Sequence, residues 1–439
     1  MERVTVGLIG LGTVGSGFYE LMSRNAGVFA DKLGAGAEIG KIAEVDTERA
    51  RRIVPERLLV NDYRRIVEDD AIQVVIELVG GTTVAHDIIR SAIEAGKHVI
   101  TANKALLALH GAELFTLARQ RRVELKFEAA VGGGIPIIKV VHESLVGNRI
   151  DRIFGILNGT SNYILTQMSE KQLSFSEALR EAQAAGFAEA DPTLDVGGGD
   201  AAHKISLLAA ISFGGWVDYR RILCQGIDTV TPGEIEFAAS AGFVIKLIAS
   251  AVRIDGKASI TVFPALVPAR HALALVRNEL NAVFVECDFL GPSLYVGRGA
   301  GARATASSIA SDLGDLVQDL VLGTGRVTRG GVGFDPNRTL ELYPDRQVEY
   351  RFFFHFITEN RPGIWAAVTG CLAENGINIE SVHQKWEDRS KPSDLYILVD
   401  EARDEQACKA LDQLCAMSGI SEQSRFYRIL PLNPAGSGG

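Results

Sequence analysis

The densest group of side chains able to do chemistry lies in Gly186-Phe-Ala-Glu189-Ala-Asp191-Pro-Thr-Leu-Asp195-Val-Gly-Gly-Gly-Asp200-Ala-Ala-His203-Lys204. Four carboxylates occupy a glycine-rich loop that runs into a helical pattern. Asp200 and Lys204 stand at i and i+4, so they share one helix face. Acids on a loop are commonly just solvated. Carboxylates beside a lysine can instead hold an amino-acid ammonium and supply a proton. A second lysine closes Thr101-Ala-Asn-Lys104, where a strand pattern gives way to a helix. Strand ends of this kind face the ligand crevice of open α/β sheets. The positive end of a helix disfavours a cation, so Lys104 is either a solvent lysine or one placed to meet a ligand.

Gly10-Leu-Gly12-Thr-Val-Gly15 follows a buried strand pattern and opens a helix. Its glycines suit a tight turn, a close approach to pyrophosphate and helix-on-strand packing, which points to a dinucleotide. The next strand pattern ends in Glu44-Val-Asp46. Either acid can bond a ribose 2′-hydroxyl, whereas Lys41, Arg49, Arg51 and Arg52 offer charge for a 2′-phosphate, so NAD and NADP both remain open. Phe127-Glu-Ala-Ala-Val-Gly-Gly-Gly-Ile-Pro136 ends a later strand in a turn whose carbonyls can ligate a hard monovalent cation or act as a hinge. The eight histidines show no metal-ligand spacing, and the five cysteines form no C-x-x-C. Catalytic zinc, a disulfide scaffold and acyl-enzyme chemistry are therefore not expected.

Positioning these groups requires a particular set of elements. Val4–Ile9, Ile39–Val45, Gln73–Val79, His98–Thr101 and Val123–Phe127 read as strands, separated by helices such as Ala85–Ala95 and Ala105–Arg119. That alternation predicts a doubly wound Rossmann sheet over residues 1–135. An amphipathic helix at 305–322 completes it. Residues 136–304 predict an α+β substrate and oligomerisation domain, with helices Ser174–Ala185 and Asp200–Phe213 and strands Gly256–Phe263 and Asn281–Cys287. A linker is expected at 323–347, followed by a βαββαβ ferredoxin-like module at 348–431 and a disordered tail at 432–439. In that module Tyr350, Phe352, Phe354 and Phe356 alternate along one face of the first strand.

These segments together resemble the homoserine dehydrogenase family carrying a C-terminal ACT domain. The most specific are Thr101–Ala108, Phe127–Pro136, Gly155-Ile-Leu-Asn-Gly-Thr-Ser-Asn-Tyr163, Gly186–Lys204 and Gly297-Arg-Gly-Ala-Gly301. The chain starts directly at the dinucleotide motif, which matches the monofunctional form. The resemblance implies reversible NAD(P)-dependent conversion of aspartate 4-semialdehyde to homoserine, on the route to threonine, methionine and isoleucine. It implies Thr13 and Val14 under the cofactor, with Gly10, Gly12, Gly15 and Asp46, and Gly301 closing on it. It places Lys104 beside the nicotinamide and the substrate, with Gly186 and Glu189 bordering both ligands. Asp195 and Asp200 shape the substrate pocket, and Lys204 matches the proton donor, although the sequence does not divide that role between Lys104 and Lys204. The matching sodium site uses Glu128, Val131, Gly133 and Ile135. In the ACT module, Asn360, Gly363 and Asn378 match an amino-acid-binding edge, and threonine is the expected effector.

Two departures stand out. Arg303-Ala304-Thr305-Ala306-Ser307 follows the glycine turn where the family often has Pro-Thr-Ala-Ser, and the missing proline is expected to loosen the helix start. Val45-Asp46 replaces a frequent Arg-Asp, removing a 2′-phosphate partner, so NAD is expected to serve at least as well as NADP. Other readings remain: a different Rossmann-type amino-acid dehydrogenase, or a nucleotide-sensing regulator without turnover. Aspartate-semialdehyde dehydrogenase needs an activated cysteine, and neither Cys224 nor Cys287 lies in such a context. With 45 basic and 54 acidic residues the chain carries a formal charge of −9, which disfavours nucleic acid. No apolar run spans a bilayer and no signal peptide is evident, so a cytoplasmic protein is expected, and the resemblance to the family and its ACT module implies a homodimer or homotetramer.

Overall fold

A computed structural model describes residues 2–323, 333–385 and 391–431. The expected tail and residues 324–332 of the expected linker lie outside these residues.

Six short strands form the first sheet: β1 (Arg3–Ile9), β2 (Gly36–Ala43), β3 (Leu59–Val60), β4 (Val74–Glu77), β5 (His98–Thr101) and β6 (Leu125–Lys126). All pairs are parallel, in the order β3-β2-β1-β4-β5-β6. β4 and β5 are buried at every position, as expected of strands covered on both faces. The order reverses between β1 and β4, so the ligand crevice opens beyond their carboxyl ends. β6 is shorter than the Val123–Phe127 pattern suggests, because Phe127 leaves extended geometry to start the 3-10 turn Glu128–Ala130.

Helix Thr13–Leu33 packs against helix Ala302–Leu322, contributed from the far side of the next domain. Ala306, Ile309, Leu313, Leu316 and Val317 share one core with Val4, Val6, Leu8 and Phe18. The later helix starts at Ala302, three residues earlier than Thr305, capped by Gly301 in a conformation (φ 105°) suited to glycine. Arg303-Ala304 therefore lies inside the helix and does not loosen its start.

The remaining strands are β7 (Ile150–Ile156), β8 (Gly215–Trp216), β9 (Leu223–Cys224), β10 (Phe243–Ile254), β11 (Lys257–Pro268), β12 (Leu280–Cys287), β13 (Gly291–Arg298), β14 (Asp335–Thr339), β15 (Glu349–Thr358), β16 (Ile379–Lys385), β17 (Ser393–Arg403) and β18 (Arg425–Ile429). All but β8 and β14 join one ten-stranded sheet, ordered β13-β12-β7-β10-β11-β18-β15-β17-β16, with β9 beside β11. The C-terminal βαββαβ module thus does not stand apart. Its β18 pairs in parallel with β11, Ala265 opposite Arg428.

The alternation in β15 divides its residues as the pattern requires. Phe352, Phe354 and Phe356 enter the module's own core. Phe353 and His355 face helix Pro232–Ser240 instead, where Phe237 stacks on Phe353 at 5.1 Å and His355 bonds Glu234 at 2.7 Å.

The stretch expected as a linker is partly structured. β14 runs parallel to β8, and Phe334 packs on Phe115 and Trp216 at 5.3 and 5.9 Å. An aromatic cluster drawn from three distant segments fixes it, which no local pattern announces.

Candidate active site

Lys204 lies on helix Gly199–Phe213, a helix buried nearly all round. Its ammonium donates to Leu157 O at 2.6 Å and to Asp200 Oδ2 at 2.7 Å. Lys104 approaches the other oxygen of the same carboxylate, Nζ to Oδ1 at 3.1 Å. Asn158 completes the group, donating to Asp200 Oδ2 at 2.9 Å and to Asp195 Oδ1 at 2.7 Å. Residues from two domains therefore converge on one buried carboxylate. Burial alone would raise the Asp200 pKa, but the two ammonium groups override it and hold the carboxyl well below its usual range. Burial lowers the Lys204 pKa, and the like charge of Lys104 adds to that against the pull of Asp200. Asp195 is raised, chiefly by burial.

Local structure explains each placement. Asn103 caps helix Lys104–Arg121, accepting from Leu106 N at 3.1 Å. Its amide donates to Val79 O and Gly81 O at 3.3 and 2.7 Å, fixing the loop after β4. Thr101 Oγ1 donates to buried Glu77 at 2.6 Å, and burial pushes that acid up to about 7. Asn158 caps helix Gly159–Lys171 through Ser161 N at 2.8 Å. Ser161 Oγ in turn bonds Asp195 O at 2.9 Å.

The glycine turn forms an open cradle. A Cβ on Gly10 would meet Leu78 O at 2.7 Å and one on Gly15 would meet Gly10 O at 2.1 Å, but one on Gly12 would meet nothing within 4 Å. The outer two glycines are demanded by packing, whereas the middle one leaves space at a helix start whose cap is Gly12 with no side-chain bond. Thr13 and Val14 are the first helical residues. Glu44 is turned inward: its carboxylate accepts Leu11 N at 2.7 Å, Val45 N at 2.8 Å and Asp46 N at 3.1 Å. Val45 is 94% exposed, and Asp46 caps the short turn that follows through Arg49 N. The Arg49 guanidinium donates to Leu11 O at 2.7 Å, returning one cation to this corner.

The turn after β6 brings buried Glu128 against a second buried acid, Asp312 of helix Ala302–Leu322. Glu128 accepts Ile138 N at 2.8 Å and Lys139 N at 2.9 Å, and its own amide donates to Asp312 at 2.9 Å. Burial pushes Glu128 up to about 7 and Asp312 up to about 8. Gly133 O accepts the Ser308 hydroxyl at 2.6 Å, and Ile135 O accepts Ile137 N at 2.7 Å. A Cβ on Gly133 would lie 2.4 Å from the Gly299 carbonyl, so this turn is pressed against the segment leading to Gly301. Two buried acids among carbonyl oxygens fit a hard monovalent cation, which would favour their ionised forms.

The structure joins Lys104, Asp195, Asp200 and Lys204. Among the described residues, no hydrogen bond or ion pair links the Glu189 carboxylate to them. Glu189 and Gly186 sit on an exposed turn, where Glu189 O accepts from Gln183 at 3.2 Å. Sequence reasoning singled out no role for Asn158, although an asparagine directly before a helical pattern is a cap signal. It also missed the Leu157 carbonyl and Asn281, whose amide donates to that same carbonyl at 2.9 Å. In the C-terminal module, Gly363 (φ 94°) caps helix Ile364–Glu374 with open space around it. Asn360 is half-buried and Asn378 exposed nearby in sequence at the next strand.

Comparison with known proteins gives consistent matches along the chain. Residues 10–128 match a family model described as homoserine dehydrogenase, NAD binding domain, and residues 136–313 one described as homoserine dehydrogenase. Residues 354–422 match an AHAS small subunit-like ACT domain. A homoserine dehydrogenase of Pseudomonas aeruginosa is 41% identical, over 99% of this chain and all of that one. The crystal structure of a homoserine dehydrogenase from Thiobacillus denitrificans superposes with a TM-score of 0.92 at 35% identity, covering 99% of both chains. A hyperthermophilic archaeal homoserine dehydrogenase in complex with NADPH superposes with a TM-score of 0.60 at 25% identity, covering 71% of this chain and 96% of that one.

Proposed function

The chain belongs to the homoserine dehydrogenase family, and from that premise we propose how its residues divide the work. The reaction is reversible, NAD(P)-dependent interconversion of L-aspartate 4-semialdehyde and L-homoserine. One observation carries the proposal: Lys204 and Lys104 meet on Asp200, at 2.7 and 3.1 Å.

A lysine ammonium has three donors. Leu157 O and Asp200 take two of those on Lys204, and the third is left for the substrate oxygen. A nicotinamide cofactor, when bound, would supply or take the hydride at the neighbouring carbon. As negative charge grows on the oxygen, Lys204 donates its proton, and Lys104 supplies a second positive charge. Asp200 orients both lysines and keeps them apart. Because its oxygens are committed to these cations, the substrate ammonium falls to Asp195 and to Glu189 across the Gly186 turn. Asp195 bonds Asn158 through one oxygen, which leaves the other for that contact.

Gly12, Thr13 and Val14 would hold the cofactor's pyrophosphate, with Gly10 and Gly15 shaping the turn and Gly301 as a further cofactor-binding residue. The exposed Asp46 favours a ribose diol, whereas both Glu44 oxygens are taken by backbone amides, so NAD serves at least as well as NADP. Glu128 and the backbone oxygens of Val131, Gly133 and Ile135 would hold a sodium ion, whose charge would offset the two buried acids. Threonine binds the ACT module at Asn360, Gly363 and Asn378, with its α-carboxylate at the helix start. The chain works as a homodimer or homotetramer. Exposed apolar side chains on the β12–β13 hairpin, Phe289, Leu290 and Val296, support an oligomer. Five free thiols support a reducing compartment such as the cytoplasm. No helix among the described residues is long and apolar enough to cross a membrane.

The test is cofactor reduction by purified protein given L-homoserine, with NAD and NADP separately, each with and without threonine and sodium. Turnover that is lost in Lys204→Met supports the assignment, and full turnover in that variant refutes it. A large preference for NADP refutes the cofactor reading. Indifference to threonine, serine and methionine alike refutes the regulatory one.

A further inference from the structure

Two histidines far apart in sequence meet on the outer side of the nucleotide-binding domain. His86 lies on helix Thr83–Glu94, and His110 and Glu113 lie one turn apart on helix Lys104–Arg121. The imidazole rings stand 4.5 Å apart between centroids. His86 Nε2 is 3.3 Å from Glu113 Oε2, and one donor atom from each of the three residues falls within 4.8 Å of the others. Both histidines are half-buried and Glu113 is exposed, so an ion could enter from solvent.

We infer that His86, His110 and Glu113 form a binding site for a divalent transition metal of the zinc type, which staples these two helices together. Two imidazoles and a carboxylate are a favoured donor set for zinc, cobalt or nickel. Donor atoms about 2.0–2.1 Å from a tetrahedral zinc lie roughly 3.3–3.4 Å from one another. The His86–Glu113 separation already has that value, and the two edges to His110, which lie within 4.8 Å, close as its side chain rotates toward the ion. A water completes four-coordination.

The outer groups point the same way. Asp87 Oδ1 lies 3.6 Å from His86 Nδ1, on the ring nitrogen opposite the donor atom. A carboxylate there orients a metal-bound imidazole and fixes its tautomer. Arg90 approaches Glu113 through the other carboxylate oxygen, NH1 to Oε1 at 3.7 Å, and bonds Glu94 more closely at 3.1 Å. Glu113 Oε2 is therefore left for the ion.

The site is remote from the substrate and differs from the sodium site in place and in chemistry. Its consequence runs along the helices. One begins at Lys104, and the other begins just after the Gly80-Gly81 loop that Asn103 ties down. A staple between them holds that side of the crevice.

The experiment is calorimetric titration of the untagged, chelator-treated full chain with zinc, paired with thermal unfolding with and without zinc. One site per chain with micromolar affinity and a raised unfolding temperature is expected. His110→Ala and the surface variant Glu113→Gln should each weaken binding at least tenfold and lose the thermal gain, while homoserine turnover without zinc stays unchanged. Tetrahedral cobalt absorption that is present in the wild type and lost in His110→Ala would identify the ligands. Absence of stoichiometric binding, or equal affinity in both variants, overturns the inference.

Discussion

Replacing Lys204 by methionine removes the ammonium but keeps most of the side-chain volume. Asp200 is not stranded by the change. It keeps Lys104 at 3.1 Å and the Asn158 amide at 2.9 Å. The cost to folding is therefore that of one lost charged hydrogen bond plus an unpaired Leu157 carbonyl, on the order of 1–3 kcal/mol. Breaking a buried pair outright would cost about 3–5 kcal/mol. The chemical loss is larger. A positioned proton donor contributes about 10²–10⁴ in rate, or roughly 3–5 kcal/mol of barrier. The assay is steady-state aldehyde reduction and homoserine oxidation from acid to alkaline pH. Aldehyde reduction by the wild type should fall as pH rises through the lowered Lys204 pKa, and homoserine oxidation should fall as pH drops through it. Lys204→Met should lose about 10²–10⁴ in kcat, lose that limb of both profiles, and leave the cofactor KM within about threefold. A folded variant with kcat within threefold of wild type, or with the limb intact, would refute the reasoning.

Other outcomes follow from the same geometry. Gly12→Ala should fold normally, since its Cβ meets nothing, yet raise the cofactor KM at least tenfold. Gly15→Ala should lose soluble protein, because its Cβ would lie 2.1 Å from Gly10 O; expression and unfolding scans compare the two. Glu128 and Asp312 have folded pKa values raised to about 7 and about 8. The stability tied to their protonated forms is complete below about pH 4 and is lost as pH rises through 7–8. Unfolding temperature should therefore fall across that window, less steeply in sodium, and Asp312→Asn should flatten the slope. His355 is also raised: burial opposes its charge, but Asp394 and Glu234 outweigh it. Its contribution is present below about 6.5 and is lost as pH rises through the raised value. His355→Asn should remove that part of the slope and weaken any effect of threonine on turnover, measured by initial rates.

Much of the fold was legible along the chain, because local patterns carried it. Buried β-branched runs alternating with helices specify a parallel sheet, and Gly10–Gly15 marks its cofactor turn wherever the rest of the chain lies. The even-odd alternation of Phe352, Phe354 and Phe356 likewise identifies a core face. The i, i+4 spacing already put Asp200 beside Lys204.

Other features depend on residues that are distant in sequence, so only the tertiary structure decided them. Lys104 reaches Asp200 because β5 ends at the same crevice that helix Gly199–Phe213 enters. Asn158 joins two aspartates from a third segment. The Glu189 carboxylate stays outside that network, since a surface turn has no packing to turn it inward. The C-terminal module is bonded into the central sheet through β18, where the free edge of β11 accepts another strand. His86 and His110 show no ligand spacing in the sequence, because the helices that carry them are brought side by side only in the folded domain. Periodicity and motifs specify elements and their faces, whereas which distant side chains share a carboxylate or an ion is settled by how those elements pack.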